Sequence, residues 1–121
     1  MLPPTTRILY GGITEELLLR WGSMTFLVWA AWKGLQKGKG APRPAFVVSA
    51  IVCSALVFGA GHLPIAIALS GSANLLLITY VVVANSIFGV VAGFLYWKKG
   101  LESAMVAHAL THVGFLLSGL I

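Results

Sequence analysis

Charge is what this sequence has least of. Only 9% of its 121 residues are charged, eight of them Lys or Arg and three of them acids. A water-facing domain is charged at about a quarter of its positions, so this chain cannot coat a soluble globule. The single cysteine, Cys53, lies inside an apolar run, which rules out a disulfide framework within one chain. The first residues, MLPPTTRILYGG, lack the basic region, apolar run and small-residue cleavage site of a secretory signal. There is no internal repeat and no low-complexity tract.

What is present is apolar: 59% of residues are hydrophobic and the mean hydropathy is +0.95. Four apolar segments approach the roughly 20 residues that span a bilayer as a helix. They run from about 8 to 32, 46 to 69, 75 to 97 and 101 to 121. Lipid excludes irregular backbone because its polar groups would go unpaired. The fold class is therefore all-α, a polytopic transmembrane bundle of about four helices in one domain over residues 1–121.

The net charge of +5 does not indicate nucleic acid, because the basic residues cluster beside the apolar runs. The segment KGLQKGKGAPRPA (33–45) holds four of them, and Lys98 and Lys99 sit in the third connection. With antiparallel helices these two loops share one face, which the positive-inside rule makes cytoplasmic. Only Arg7 lies against that assignment. Ser70 to Asn74 is a short uncharged turn on the other side. Gly89 and Gly93 have the small-xxx-small spacing of helix packing.

The informative residues are the ionisable ones. Of three acids and three histidines, Glu15, Glu16, His62, His108 and His112 fall within or at the lip of a predicted span. Each would cost on the order of 2–3 kcal/mol at mid-bilayer unless paired or facing water. Glu16 and Arg20 are four apart and can pair on one helix face, while Glu15 points about 100° away. His108 and His112 are also four apart. His62 follows Phe58-Gly59-Ala60-Gly61 and precedes Pro64, which tends to kink a span or free a carbonyl. At ~1.5 Å per residue, Glu15, His62 and His112 lie ~10–14 Å inside their spans and His108 ~20 Å, so the four can meet in one layer.

Two familiar motifs fail. His108-Ala-Leu-Thr-His112 has zincin spacing, but Ala109 stands where the general-base glutamate would be. Gly59-Ala60-Gly61 is not followed by the Lys-Ser/Thr of a phosphate loop.

Together the three clusters resemble the motif set of the CPBP (Abi) family of intramembrane proteases. That family groups type II CAAX prenyl endopeptidases with bacteriocin-processing and bacteriocin-immunity proteins. EExxxR is matched by Glu15-Glu16-Leu17-Leu18-Leu19-Arg20 and FxxxH by Phe58 to His62. The third motif, His followed four residues later by Asn or a similar polar residue, is matched by His108 and His112. The likeness covers residues 11 to 116. Leu19 stands where Phe is frequent and His112 where Asn is common. Family members usually carry further helices before the first motif, whereas this chain starts almost at EExxxR, as expected of a minimal member, a fragment or a mis-started reading frame.

The resemblance implies peptide-bond hydrolysis in a prokaryotic plasma membrane, acting on a membrane-associated peptide or protein, with the bilayer and no nucleic acid as partner. In that reading Glu15 activates a water, and Glu16 pairs with Arg20. His62 and His108 hold the water or stabilise the oxyanion, and Phe58 and His112 orient them. Glu15, His62 and His108 also form a candidate zinc set, since a catalytic zinc needs three ligands and an open position. A metal-free glutamate–water mechanism uses the same residues. Two other readings stay open: a non-catalytic immunity or accessory protein of the same fold, and a fragment of a proton-coupled transporter.

Overall fold

The computed structural model describes residues 3–119, which form a bundle of four helices and, among the described residues, no strand. Helix α1 is continuous over residues 4–35 but changes winding along its length. Pro4–Leu9 is α-helical, Tyr10–Glu15 and Leu17–Met24 are π-helical, and Thr25–Leu35 is α-helical again. Helix α2 covers Pro44–Ser70 and is broken at His62 into Pro44–Gly61 and Leu63–Ser70. Helix α3 is Leu75–Lys99 and α4 is Leu101–Ser118.

The boundaries follow local chemistry. Pro4 and Pro44 open α1 and α2 at the first helical turn, where a missing N–H costs nothing. Asn74 caps α3 by accepting from the Leu77 N–H at 2.9 Å. The α3–α4 turn is closed by Gly100 at φ +97, a backbone conformation that a side chain would strain. The basic loop is pinned rather than free. Gln36 donates to the carbonyls of Lys39 and Ala41, and accepts from the Arg43 N–H at 2.8 Å. Trp32 Nε1 donates to the Gly40 carbonyl at 2.8 Å.

Each expected span is a helix, but the edges differ. The first begins at Pro4 rather than residue 8, because its N-terminal α turn continues into the π segment. The second starts two residues earlier, at the N-terminal proline. The fourth helix ends at Ser118, and the expected end at residue 121 lies outside the described residues. Helices α2 and α3, of 27 and 25 residues, are long and apolar enough to cross a membrane by length and composition. Helices α1 and α4 carry the ionisable residues that dilute their apolar character.

The bundle is inside-out relative to a soluble one. Leu18, Trp21, Leu56, Tyr80, Ile87 and Leu110 face outward, whereas Glu16, Arg20, Ser54 and His108 are buried. So continuous an exposed apolar surface marks contact with lipid rather than water. The helices form a ring in which α1 neighbours α2 and α4, and α3 closes the other side against both. Helices α2 and α4 face each other across it, and their side chains meet in the middle.

The tightest seam joins α2 to α3 through small residues. A methyl group on Gly89 would lie 2.8 Å from the Ala55 Cα, and one on Gly93 would lie 2.8 Å from Ile51 Cγ2. The expected packing role of this pair is therefore met by direct backbone approach. Gly89→Ala is expected to lower detergent-solubilised stability by about 1–3 kcal/mol through overpacking. Gly34→Ala, which adds a methyl to open space, is the control. Equal melting temperatures for the two variants would show the seam to be loose.

Candidate active site

The EExxxR segment sits where α1 is π-wound, a form that recurs at functional sites because it widens the helix and re-aims side chains. Glu16 and Arg20 are both fully buried, and Arg20 Nε lies 3.2 Å from Glu16 Oε2. The expected pair is therefore present. The other oxygen of the same carboxylate, Glu16 Oε1, lies 2.7 Å from His108 Nδ1 on α4. A carboxylate held by arginine can only accept, so Nδ1 carries a proton. The remaining ring nitrogen, Nε2, faces Glu15 Oε2 at 3.5 Å.

Glu15 and Glu16 thus flank the two nitrogens of one imidazole, Glu16 by a hydrogen bond and Glu15 by approach alone. Adjacent acids on an ideal helix point about 100° apart, and here the pair nevertheless meets the same ring. The two carboxylates do differ in task, but both address His108. Glu16 is fully enclosed by its two partners. Glu15 is half-buried, and its Oε2, like Glu16 Oε2 and the guanidinium nitrogens of Arg20, has no hydrogen-bond partner among the described residues. What sets Glu15 apart is its exposure. An unsatisfied buried carboxylate oxygen beside a ring nitrogen is where a substrate or water proton can be received.

His112 stacks on His108 with centroids 5.1 Å apart and planes 14° from parallel. His62 occupies the break in α2. Its Nδ1 lies 2.7 Å from the Phe58 carbonyl, which can only accept, so Nδ1 donates and Nε2 is left as an acceptor. The expected kink at Pro64 is the reason: the helix restarts at Leu63, and the His62 N–H turns back to the Gly59 carbonyl at 3.2 Å.

Phe58 joins these groups. Its ring packs edge-on against His62 at 4.6 Å and His108 at 5.5 Å, and the Arg20 guanidinium lies over it at 5.5 Å. Phe88 of α3 closes the other side of His108 at 4.8 Å. The site therefore assembles Glu15, Glu16, Arg20, His108 and His112 directly and attaches His62 through Phe58.

Sequence reasoning missed Phe88, an aromatic among many in α3, and it missed Gly11 and Gly12. Both glycines are buried against α4. A methyl on Gly11 would stand 2.6 Å from His112 Nε2 and 3.0 Å from His108 Nε2, and one on Gly12 would stand 3.0 Å from Ala109 Cβ. The Gly-Gly pair one turn before Glu15 is the signal that could have found them, since paired glycines in a helix mark close approach. Gly11→Ala gains helix propensity of ~1 kcal/mol yet must displace both imidazoles. Rate is expected to fall roughly 10²-fold, as displacements near 1 Å do, with melting temperature little changed. Unchanged cleavage by Gly11→Ala would show that ring placement beside α1 is not critical.

The candidate zinc set does not assemble. His108 has the carboxylate-backed ring typical of metal ligands, but among the described residues no three His, Cys, Asp or Glu side chains are grouped to hold an ion. No step is therefore routed through a metal.

A family model described as Rce1-like, type II CAAX prenyl endopeptidase Rce1-like, matches residues 4–114. The chain belongs to that family. The match runs from the first turn of α1 through both histidines of α4, so all the residues gathered around His108 fall within the Rce1-like region. A membrane-associated family and two helices able to span a bilayer agree with the apolar exterior. No curated protein and no solved structure matched the chain.

Proposed function

We propose that this protein is an intramembrane endopeptidase, with all four helices crossing the bilayer. It would hydrolyse a peptide bond of a membrane-associated protein or peptide, of the CAAX type or a bacteriocin-like precursor. The observation that carries the reading is the placement of Glu15 and Glu16 at the two nitrogens of His108 (3.5 and 2.7 Å) in a bundle of this family.

In the proposed step Glu15 takes a proton from a water as the water oxygen adds to the scissile carbonyl carbon. The carbonyl oxygen becomes an oxyanion that would accept from Nε2 of the His108 ring, protonated at both nitrogens for this step and held in place by Glu16 and Arg20. Preorganised groups at a water-poor site are worth most where charge develops. Collapse of the tetrahedral intermediate breaks the C–N bond, and Glu15 returns its proton to the leaving amine. His62, whose Nε2 is an acceptor, would position the water, and His112 would support His108 from its stacked face.

The test is cleavage of a membrane-tethered peptide reporter by the purified protein in liposomes, with and without a strong chelator, alongside elemental analysis. Cleavage that survives chelation is expected, since the glutamate–water chemistry needs only residues already assembled. Activity lost on chelation and restored by zinc would replace the metal-free route. Absence of cleavage with every reporter, in a well-folded preparation, would favour the non-catalytic binding role.

A further inference from the structure

At the opposite end of the bundle from His62 lies a second feature that proteolysis does not use. An open cleft of about 730 Å³ separates the C-terminal half of α1 from the start of α2 and the end of α3. Its size is that of a small-molecule site. Its walls are apolar and aromatic, chiefly Val28, Trp29, Trp32, Val47 and Trp97, and buried Met24 forms its inner end. The polar groups inside it satisfy one another. Thr25 Oγ1 donates to the Arg20 carbonyl at 3.3 Å, which leaves Tyr96 to donate to Thr25 at 2.7 Å.

No charged side chain lines the cleft, but a cation stands beside it: Lys98 Nζ sits 3.8 Å above the ring of the lining residue Trp97. Arg43 follows the lining residue Pro42, but its guanidinium turns to Phe46 at 5.9 Å, a residue of the neighbouring cleft between α1 and α2. Six of the eight basic residues of the chain are at this end, against one acid, Glu102. Three of the four tryptophans line the cleft, and tryptophan gathers at the headgroup boundary of a bilayer.

We propose that this cleft binds one anionic phospholipid, its acyl chain along Val28, Val47 and Met24 and its phosphate at Lys98. The pairing of an apolar interior with a cationic rim selects an amphiphile with a negative head. A soluble anion would leave the interior unused, and a zwitterionic lipid would gain little from the rim. The proposal rests on the membrane placement of the chain and is independent of the proteolytic reading.

The experiment measures lipid retention by native mass spectrometry on protein exchanged into detergent with phosphatidylglycerol or phosphatidylcholine. Wild type is expected to prefer phosphatidylglycerol. Lys98→Gln should weaken that preference roughly fivefold. Lys37→Gln with Lys39→Gln, and Arg43→Gln, all on the same basic face but away from the lining, should leave it nearly intact. Val28→Trp, which fills the cleft, should reduce retention of both lipids. Equal loss from Lys98→Gln and from the variants of the basic loop would mean a diffuse basic surface and overturn the cleft site, as would equal binding of the two lipids by wild type. If Val28→Trp does not fold, the charge variants still decide.

Discussion

Replacing Glu15 with glutamine is expected to leave the protein folded and inserted while cleavage falls by roughly 10²–10⁴-fold, the usual worth of a positioned general base. The two carboxylates of the motif look alike in sequence, so the contrast between them is the sharpest test of the site. Glu16 is fully buried, with Oε1 hydrogen-bonded to His108 at 2.7 Å and Oε2 ion-paired with Arg20 at 3.2 Å without a hydrogen bond, whereas Glu15 is only partly buried. Glu15 Oε2 has no hydrogen-bond partner among the described residues and faces His108 Nε2 at 3.5 Å. Glutamine at position 15 keeps the length and polarity of the side chain but cannot take a proton. Because that oxygen makes no bond that holds the helices together, little stability should be lost. Cleavage of the reporter, normalised to inserted protein, measures the effect. Full activity of a well-expressed Glu15→Gln variant would end the protease reading and leave a binding role for the same fold.

Some of this site could be read without a structure, for a simple reason. Contacts between residues four apart on a helix are set by local geometry. The EExxxR spacing therefore anticipates the Glu16–Arg20 pair, FxxxH anticipates Phe58 against His62, and the last motif anticipates the stacked His108 and His112. The Pro64 break at His62 is local in the same way. The contact that organises the centre is not. Glu16 and His108 are 92 residues apart, and no periodicity within either helix reports which face of α1 meets which face of α4. The π winding of α1 is likewise a compromise between that helix and its neighbours, and it changes which way both acids point. Gly11 and Gly12 matter because of what α4 places beside them. Four apolar stretches could be counted in the sequence. Which of their faces carry the polar interior could not, since nearly every face is hydrophobic when the solvent is lipid.

Glu16→Gln is expected to be the costly structural change, and its cost should depend on Arg20. Both side chains are fully buried. Removing one member of a buried ion pair leaves the other charge uncompensated, which costs about 3–5 kcal/mol. Glutamine can still accept from His108 Nδ1, so the ring keeps its anchor while the guanidinium loses its anion. Arg20→Met should be destabilising for the converse reason, with Glu16 retaining only its His108 contact. In the double variant no bare charge remains, and the methionine side chain can keep the packing that Arg20 makes over Phe58 at 5.5 Å. The double variant should therefore melt well above the temperature expected by adding the two single losses, with a coupling of roughly 0.5–3 kcal/mol. Thermal unfolding of the four proteins in one detergent gives the cycle directly. Strict additivity would mean that the 3.2 Å pair carries no net interaction, and that Arg20 is held by packing alone. Non-additivity in stability, with cleavage by Glu16→Gln falling far less than by Glu15→Gln, would separate the acid that builds the site from the acid that works in it.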